Sequence, residues 1–554
     1  MTEKHYPNYY KALFLMLLTA FLLPLGAESG CLLDADELNM ASGPVNVTIC
    51  LDGGDERQLE ITHAGLIGVV GLSGEDAVDG DFEAILSGLN ELPYPVTTTG
   101  TGMISATLIG NVLTVSGSFS GLSSDFDPNV AGGAHLHLGM AGMGGAIAFP
   151  LITDLNDDLR GGTFNAADNT FEVTTEQAVA LMARGIYVNI HTVDFGGGEL
   201  RGQLVPSGAD DYNVAYLLGA NETPAVRTSA TGAVILERTG NNIVVTGSFG
   251  GLMGGIATDI AGGAHVHLGV AGRNGPVAIS LSLTIGDDMT SAVLLADDNS
   301  FELTPEQAAA FDNGGLYVNI HSNAVRSGEL RGQVLDMTVT QFYSNPSGHQ
   351  TRPMAINTPG NGRLLMTLDA DNNLVVSGSV NDLQGTVDLA IAGGTHIHEA
   401  LAGSSGPIAF GLTITLDDDG GIWEPANNTF PLTDEEVEDF YARRYYVNVH
   451  TTAEASGEVR GQVMNLAKAY FGSNLAGINA NPAAIKATGG GFVMYEACND
   501  KVVVTGSFAG LESDFAANIA GGSHIHAGDA TATGEIVASL NVDVADDLRS
   551  GAYE

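Results

Sequence analysis

Apolar and small polar residues alternate in three similar runs of the chain. They are Leu-Thr-Val-Ser-Gly-Ser-Phe at 113–119, Ile-Val-Val-Thr-Gly-Ser-Phe at 243–249 and Val-Val-Val-Thr-Gly-Ser-Phe at 502–508. A period of two residues is typical of a strand with one buried face, and valine, threonine and phenylalanine favour strands. Each run therefore predicts a β-strand, and Gly-Leu turns follow these runs.

A different pattern predicts one short helix per repeat. Thr304 precedes Pro305 and is followed three positions later by Gln307, just before the apolar residues 308–311. This is a capping box with proline at the first helical position. The same box recurs at Thr174 with Gln177 and at Thr433 with Glu436.

Two further strands close each repeat. Tyr-Val-Asn-Ile-His at 187–191 is followed, after a glycine-containing loop, by Gly-Glu-Leu-Arg-Gly-Gln-Leu at 198–204. Copies lie at 317–321 with 329–333 and at 446–450 with 458–462. Many short strands with one capped helix predict an all-β fold of tandem antiparallel β-sandwich or barrel modules.

The patterns recur about every 130 residues, which is the length of a domain. We expect module one at 79–206, module two at 212–336, module three at 341–465 and module four at 469–554. Module four is incomplete, because its helix and last two strands are missing. A fragment of a longer product is our preferred explanation, and strand addition by another chain is the alternative. Residues 28–78 match no module and are interpreted as an acidic, partly strand-forming leader.

Most histidines belong to one repeated constellation. Each module has a His-x-His segment after a Gly-Gly pair, and three modules add a third histidine at the end of the Tyr-Val-Asn strand. The candidate metal ligands are His135, His137, His191, His265, His267, His321, His396, His398, His450, His524 and His526. Residues i and i+2 of a strand share a face, about 6.5–7 Å apart, so each pair can converge on one point.

The same alternation places other polar groups beside the imidazoles. Tyr187, Asn189 and His191 share one strand face, and Glu199, Arg201 and Gln203 share another. If these strands are neighbours, each module gathers three imidazoles, an amide, a carboxylate and a guanidinium.

This constellation has two interpretations. Three neutral imidazoles suit copper or zinc, with a fourth position open to water or ligand. Alternatively, the histidines form a satisfied polar network with Glu199 and Arg201 as charged partners. Module four lacks the third histidine, so its site should be weaker in either case. The single histidines His63 and His349 are expected in exposed loops.

Paired aspartates follow the His-x-His segment at 157–158, 287–288, 417–418 and 546–547. We interpret them as turn residues. Calcium ligation is the alternative, but no Asp-x-Asp-x-Asp spacing supports it.

The N-terminus resembles a secretory signal. Lys4 and Lys11 precede a short apolar run at 12–23, which is too short to span a bilayer, and we expect cleavage after Ala27. A lipoprotein anchor at Cys31 is the alternative. No later segment reaches 18 apolar residues, so we expect a secreted or cell-surface chain without a transmembrane helix.

Net charge limits the classes of partner, and the cysteine content limits the possible disulfides. The formal net charge is −45, which disfavours nucleic acid and anionic lipid surfaces. Of three cysteines, Cys31 and Cys50 could form a local disulfide, which leaves Cys498 odd.

The repeated motifs together resemble the CHRD domain. They are the Gly-Ser-Phe-x-Gly-Leu strand and turn, the Gly-Gly-x-His-x-His segment, Asn-Gly-Pro-Val at 274–277, and Tyr-Val-Asn-x-His with Gly-Glu-Leu-Arg-Gly-Gln. The resemblance covers the chain from Asp79 onward. In chordin these modules belong to an extracellular growth-factor antagonist, so the resemblance implies an extracellular setting. The His-x-His strand also looks like the copper-ligand strand of copper/zinc superoxide dismutases, but that family's further ligands and cysteines have no counterpart within a module.

Two function classes remain. The first is a non-enzymatic binding or structural array whose partner is an unknown extracellular protein or matrix ligand. The second is an extracellular copper/zinc metalloenzyme with dismutase-like sites. Apart from the histidines, the sequence has no Ser-His-Asp signature and no phosphate-binding glycine loop. We favour the first class.

Overall fold

The structure is a computed structural model of the chain. It describes residues 45–50, 56–61, 67–68, 79–418, 420–480, 485, 488–498, 501–529 and 532–554. The expected signal segment, Cys31 and His63 lie outside the described residues.

The chain divides into two compact units. The first comprises residues 1–80, 107–114 and 170–180, and the second comprises residues 81–106, 115–169 and 181–554. The first unit contains a three-stranded antiparallel sheet of β1 (Val45–Cys50), β2 (Glu56–Ile61) and β3 (Ile67–Gly68). Every candidate histidine lies in the second unit.

The elements of the modules repeat in the same order. Module one has β4 (Gly80–Ser87), β5 (Thr101–Ile109), β6 (Val112–Ser120), β7 (Ala134–Leu138), β8 (Ile147–Pro150), β9 (Asp154–Leu155), β10 (Gly162–Phe164), β11 (Thr170–Glu172), helix α1 (Thr175–Met182), β12 (Ile186–Ile190), β13 (Leu200–Gln203) and β14 (Val205–Pro206). Module two has β15 (Asp211–Leu218), β16 (Thr231–Thr239), β17 (Asn242–Gly250), β18 (Ala264–Leu268), β19 (Val277–Ser280), β20 (Thr284–Ile285), β21 (Ala292–Leu294), β22 (Ser300–Glu302), helix α2 (Pro305–Asp312), β23 (Leu316–Ile320), β24 (Leu330–Gln333) and β25 (Leu335–Asp336).

Module three has β26 (Thr340–Ser344), β27 (Asn361–Leu368), β28 (Asn373–Asn381), β29 (Thr395–Glu399), β30 (Ile408–Gly411), β31 (Thr415–Asp417), β32 (Gly420–Trp423), β33 (Thr429–Pro431), helix α3 (Asp434–Tyr441), β34 (Tyr445–Val449) and β35 (Val459–Asn465). Module four has β36 (Ala469–Ala476), β37 (Gly490–Cys498), β38 (Lys501–Ala509), β39 (His524–His526), β40 (Ile536–Ser539), β41 (Asp543–Val544) and β42 (Gly551–Tyr553). Short 3₁₀ turns lie at Gly88–Asn90, Gly219–Asn221, Ala261–Gly263, Ala296–Asp298, Gly348–Gln350, Pro425–Asn427 and Gly477–Asn479.

Each complete module is one long antiparallel sheet that curls onto itself. In module two the strand order is β19-β18-β23-β24-β15-β16-β17-β21-β20, with β22 on β17 and β25 on β15, and module three follows the same order. A sheet of this many strands curls because strand twist accumulates. The prediction of tandem antiparallel β-sandwich modules with one short helix each is confirmed. No helix among the described residues is both long and apolar enough to cross a bilayer.

The predicted local signals are found in the structure. Thr304 accepts a hydrogen bond from the Gln307 backbone N–H, while the Gln307 side chain accepts from the Thr304 N–H, which completes the capping box. The paired aspartates serve turns. Asp288, for example, accepts bonds from the backbone of Thr290 and Ser291. The structure therefore agrees with the turn interpretation of this pair.

Successive modules meet through a repeated contact. Ser248 of module two donates its Oγ–H to the Ala141 carbonyl of module one at 2.7 Å. The same contact joins Ser379 to Ala271 at 3.1 Å and Ser507 to Ala402 at 2.8 Å. Buried apolar side chains of modules one, two and three also share one cluster, so the sheets bury both faces at these junctions.

Candidate metal centre

Sheet register places the histidines of a module on one face. In module two the His-x-His strand β18 pairs with the Tyr-Val-Asn strand β23, so that His265 lies opposite Asn319 and His267 lies opposite Tyr317. His321 follows directly after β23. Alternation of side chains across the strand then directs all three imidazoles to the same side.

The three imidazoles of each complete module are close together. The ring centroid of His265 lies 4.6 Å from the ring centroid of His267 and 4.6 Å from that of His321. In modules one and three the corresponding separations are 4.7 Å. Within each triad the ligand atoms lie within 4.8 Å of one another. The structure therefore brings together the nine histidines that the sequence assigned to the three complete modules.

Backbone carbonyl groups fix two imidazoles of each triad in the same orientation. His267 donates its Nδ1–H to the Gly275 carbonyl at 2.7 Å, and His321 donates its Nδ1–H to the Arg326 carbonyl at 2.9 Å. The equivalent bonds of the other modules run from His137 to Gly145, His191 to Gly196, His398 to Gly406 and His450 to Ala455. A proton held on Nδ1 places the lone pair on Nε2, as in histidines whose second nitrogen orients them toward a metal.

The third imidazole completes the convergence. The Nε2 atoms of His265 and His321 are 2.9 Å apart, and those of His396 and His450 are also 2.9 Å apart. Nitrogens bound to one tetrahedral ion lie about 3.3 Å apart, since each is about 2.0–2.1 Å from it. Among the described residues, Nε2 of His267 and Nδ1 of His265 are buried without a hydrogen-bond partner. The donor set therefore fits a transition-metal ion.

Burial keeps the first imidazole of each triad neutral. It lowers the pKa of His265 to about 4, with smaller contributions from His321 and His267. The pKa values of His135 and His396 are likewise lowered to about 4, mainly by burial. Neutral imidazole is the form that binds metal, so these residues are ready to act as ligands at neutral pH.

An aromatic stack supports the triad from the next strands. The rings of His267 and Tyr317 are parallel within 2° at 4.7 Å, and the Arg331 guanidinium lies 3.5 Å from the Tyr317 ring centroid. Arg331 also donates to the carbonyl groups of Val270 and Arg273. The stack therefore holds the loop that carries the hydrogen-bond acceptor of His267.

The two expected charged partners make different contacts: the Arg331 guanidinium lies on the Tyr317 ring that stacks on His267, whereas the carboxylates bind loop residues. Glu329 is buried and accepts bonds from the Thr228 hydroxyl at 2.6 Å and the Met253 backbone N–H at 2.9 Å. In module one, Glu199 likewise accepts from Thr98 and Thr192. These carboxylates tie loops together because each lies in a dry interior where backbone donors need an acceptor.

A buried carboxyl group was missed by the sequence analysis. Glu222 accepts a hydrogen bond from Asn319 at 2.7 Å, and Glu91 lies in the same position beside Asn189. The Asn-Glu-x-Pro motif at 90–93 and at 221–224 was the signal that could have revealed both. Module three has Thr351 at this position.

The module-four pair is more open. The rings of His524 and His526 are 4.7 Å apart, and His526 donates its Nδ1–H to the Gly534 carbonyl at 2.8 Å. Neither side chain is fully buried. His349 is exposed, as expected for a loop residue.

Comparison with known families agrees with the repeat. Segments 82–204, 214–334, 342–463 and 471–552 match the CHRD domain. The chain belongs to the CHRD family. It is a tandem CHRD repeat protein with four matched segments. A search of curated proteins gives no match.

Proposed function

We propose that this CHRD chain is an exported array of binding modules in which each complete module holds one copper or zinc ion. The ligands are the imidazoles of His135, His137 and His191 in module one, and of their equivalents in modules two and three. The observation that carries the proposal is the pair of Nδ1–H bonds to backbone carbonyls, which points two Nε2 atoms toward the third imidazole.

Two further properties support metal binding. The lowered pKa of His265 keeps that ligand unprotonated well below neutral pH. The net charge of −45 raises the local concentration of cations around the chain. Three imidazole ligands leave a fourth coordination position for water or a partner's side chain. The bound ion would supply Lewis-acid character at that position.

A binding array is favoured over a metalloenzyme. The groups of metal-binding side chains found among the described residues consist of three histidines each, without the further ligands of a second, dismutase-like ion. Several near-identical sites in one chain suit multivalent binding of an extracellular protein or matrix ligand. The signal-like residues 1–27 support export, and Cys31 remains the alternative anchor.

The test is metal analysis of the exported full chain. We expect about three copper or zinc ions per chain, one for each complete triad. His267→Ala should remove about one ion, whereas His349→Ala, at an exposed histidine outside the triads, should remove none. Far-UV circular dichroism checks that both variants are folded.

The outcomes separate the alternatives. A metal content that does not change in His267→Ala would contradict the proposal. A metal-free chain whose stability alone falls would favour the polar network. Superoxide dismutation by the copper-loaded protein would favour the enzyme. The N-terminal residue of the same sample shows whether cleavage follows Ala27 or precedes Cys31.

A further inference from the structure

Modules two, three and four surround a cavity of about 1390 Å³. Its lining combines cationic, aromatic and acidic side chains. Those that matter here are Arg227, Arg363, Lys468, Phe471, Phe492 and Glu222. None of the triad histidines lines it, although Glu222 connects it to Asn319 of the module-two site.

Among the described residues, the cations around the cavity have no ion-pair partner. The chain has only 20 lysines and arginines against 65 acidic residues. Within the described part of the chain, eight arginines pair with carboxylates, and three more stack on the tyrosines of the candidate metal centres. The remaining cations whose side chains the structure describes are Arg227, Arg352, Arg363, Lys468 and Lys501. The first four line the cavity or contact a side chain that lines it.

Each of these four cations is held by aromatic rings or neutral groups. The Arg227 guanidinium lies 5.6 Å from the Phe471 ring centroid, and the Arg352 guanidinium lies 4.6 Å from that of Phe492. Arg352 Nε and Nη2 are buried and have no hydrogen-bond partner among the described residues. A buried cation without a counter-ion is costly, so an anion brought to this place is stabilised.

Arg363 and Lys468 add two further positive charges to the lining of the cavity. Arg363 is buried and donates to the Ala220 carbonyl, which fixes its charge at the wall between modules two and three. Lys468 Nζ lies 4.4 Å from the Tyr94 ring centroid. The carboxyl groups that line the cavity are those of Glu222 and Asp382. Burial raises the pKa of Glu222 to about 7, so that its negative charge is reduced near neutral pH.

We propose that this cavity binds a small organic anion with an aromatic or other apolar body. Its acidic group would be held by Arg227 and Lys468, and its apolar body would pack on Phe471 and Phe492. A concave site with an apolar wall and a few charged groups is the usual form of a small-molecule site. Ring faces beside guanidinium groups also accept planar ligands. The inference does not depend on metal binding.

The test uses 8-anilinonaphthalene-1-sulfonate, whose sulfonate and rings copy the two halves of such a ligand. The folded full chain should bind it with saturable fluorescence, and the uncharged analogue N-phenyl-1-naphthylamine should bind at least tenfold more weakly. The double variant Arg227→Gln/Lys468→Met should weaken binding of the sulfonate about tenfold. Both side chains are at least partly exposed, so the fold should tolerate these changes.

Lys501→Met is the matched control, because Lys501 also forms no ion pair with a described residue but lies beside Phe195, away from the cavity. It should leave the affinity unchanged. Equal affinity for the charged and uncharged probes, an unaltered affinity in the double variant, or an equal loss in Lys501→Met would each overturn the proposal. His267→Ala should leave probe binding unchanged, so failure of the metal proposal would be seen separately.

Discussion

The buried carboxyl next to the Tyr-Val-Asn strand is present in two of the modules and absent from the other two. Modules one and two have Glu91 and Glu222 there, whereas modules three and four have Thr351 and Ala480. Burial raises the pKa of Glu91 to about 8. For Glu222 the value is about 7, because Arg331 and other neighbours partly offset the burial.

This pKa makes stability depend on pH with a defined sign. The carboxyl of Glu222 has an ordinary pKa of 4.5 and a folded pKa of about 7. Between these values the folded state keeps a proton that the unfolded state has released, so the free energy of unfolding falls as pH rises. Glu222→Gln cannot titrate. We expect its free energy of unfolding at pH 8 to exceed that of the wild type by on the order of 3 kcal/mol.

Urea unfolding of the full chain at pH 5 and pH 8 measures this difference. The advantage of Glu222→Gln should shrink toward pH 5, where the wild-type carboxyl is protonated in the folded state. The lowered histidine pKa values act with the opposite sign in both proteins and cancel from the comparison. Parallel pH profiles for the two proteins would show that the carboxyl is not buried as described.

At the scale of elements, the loop after each His-x-His strand has a second role. In the three complete modules it carries the hydrogen-bond acceptor of the His267-type imidazole, and it also docks on the next module. Gly142 of this loop has φ of +87°, and a Cβ there would fall on the backbone of Ser248 and Ala233. Glycine is required here for both reasons, since an L side chain would be strained and would also separate the modules.

Gly142→Ala separates these two costs when it is compared with Gly132→Ala. Gly132 lies in the same module with φ of +91°, and a Cβ there meets nothing within 4 Å. The free energy of unfolding of the control, Gly132→Ala, should fall by about 1–2 kcal/mol because of backbone strain. The free energy of unfolding of Gly142→Ala should fall by about 1–3 kcal/mol more, because the junction between the modules must open. Equal losses in thermal or urea unfolding would mean that the loop does not dock tightly.

At the scale of the whole molecule, the junctions differ in one ion pair. Arg184 of module one pairs with Glu237 of module two at 2.7 Å, and both are largely buried. The same pair, Arg443 with Glu496, joins modules three and four. Between modules two and three the equivalent residues are Gly314 and Thr367. The two partners therefore change together within one chain.

This paired replacement predicts a coupling. Arg184→Gly leaves Glu237 buried and uncompensated, which should cost about 3–5 kcal/mol. Arg184→Gly/Glu237→Thr copies the junction between modules two and three and should recover most of that loss. Arg184 has φ of +60° and Gly314 has φ of +61°, so the backbone accepts glycine. Additive losses in the unfolding midpoints of the single and double variants would contradict a coupled pair.

Much of the fold could be predicted because its signals are local. The alternation at 243–249 gave strand β17, and the capping box at Thr304 gave helix α2, since strand faces and helix ends depend on neighbours within a few residues. The convergence of His265 with His267 follows from the same alternation. Their meeting with His321 required only that two predicted strands be neighbours.

The sequence by itself determined the repeated module, its strand faces and the three imidazoles on one of them. Only the tertiary structure decided what surrounds them: the carbonyl groups that fix each Nδ1, the Tyr317–Arg331 stack, and the carboxyl of Glu222. It also decided the junctions and the cationic cavity. These features join residues that lie far apart in the chain, and periodicity describes only which face a side chain occupies, not what packs against that face.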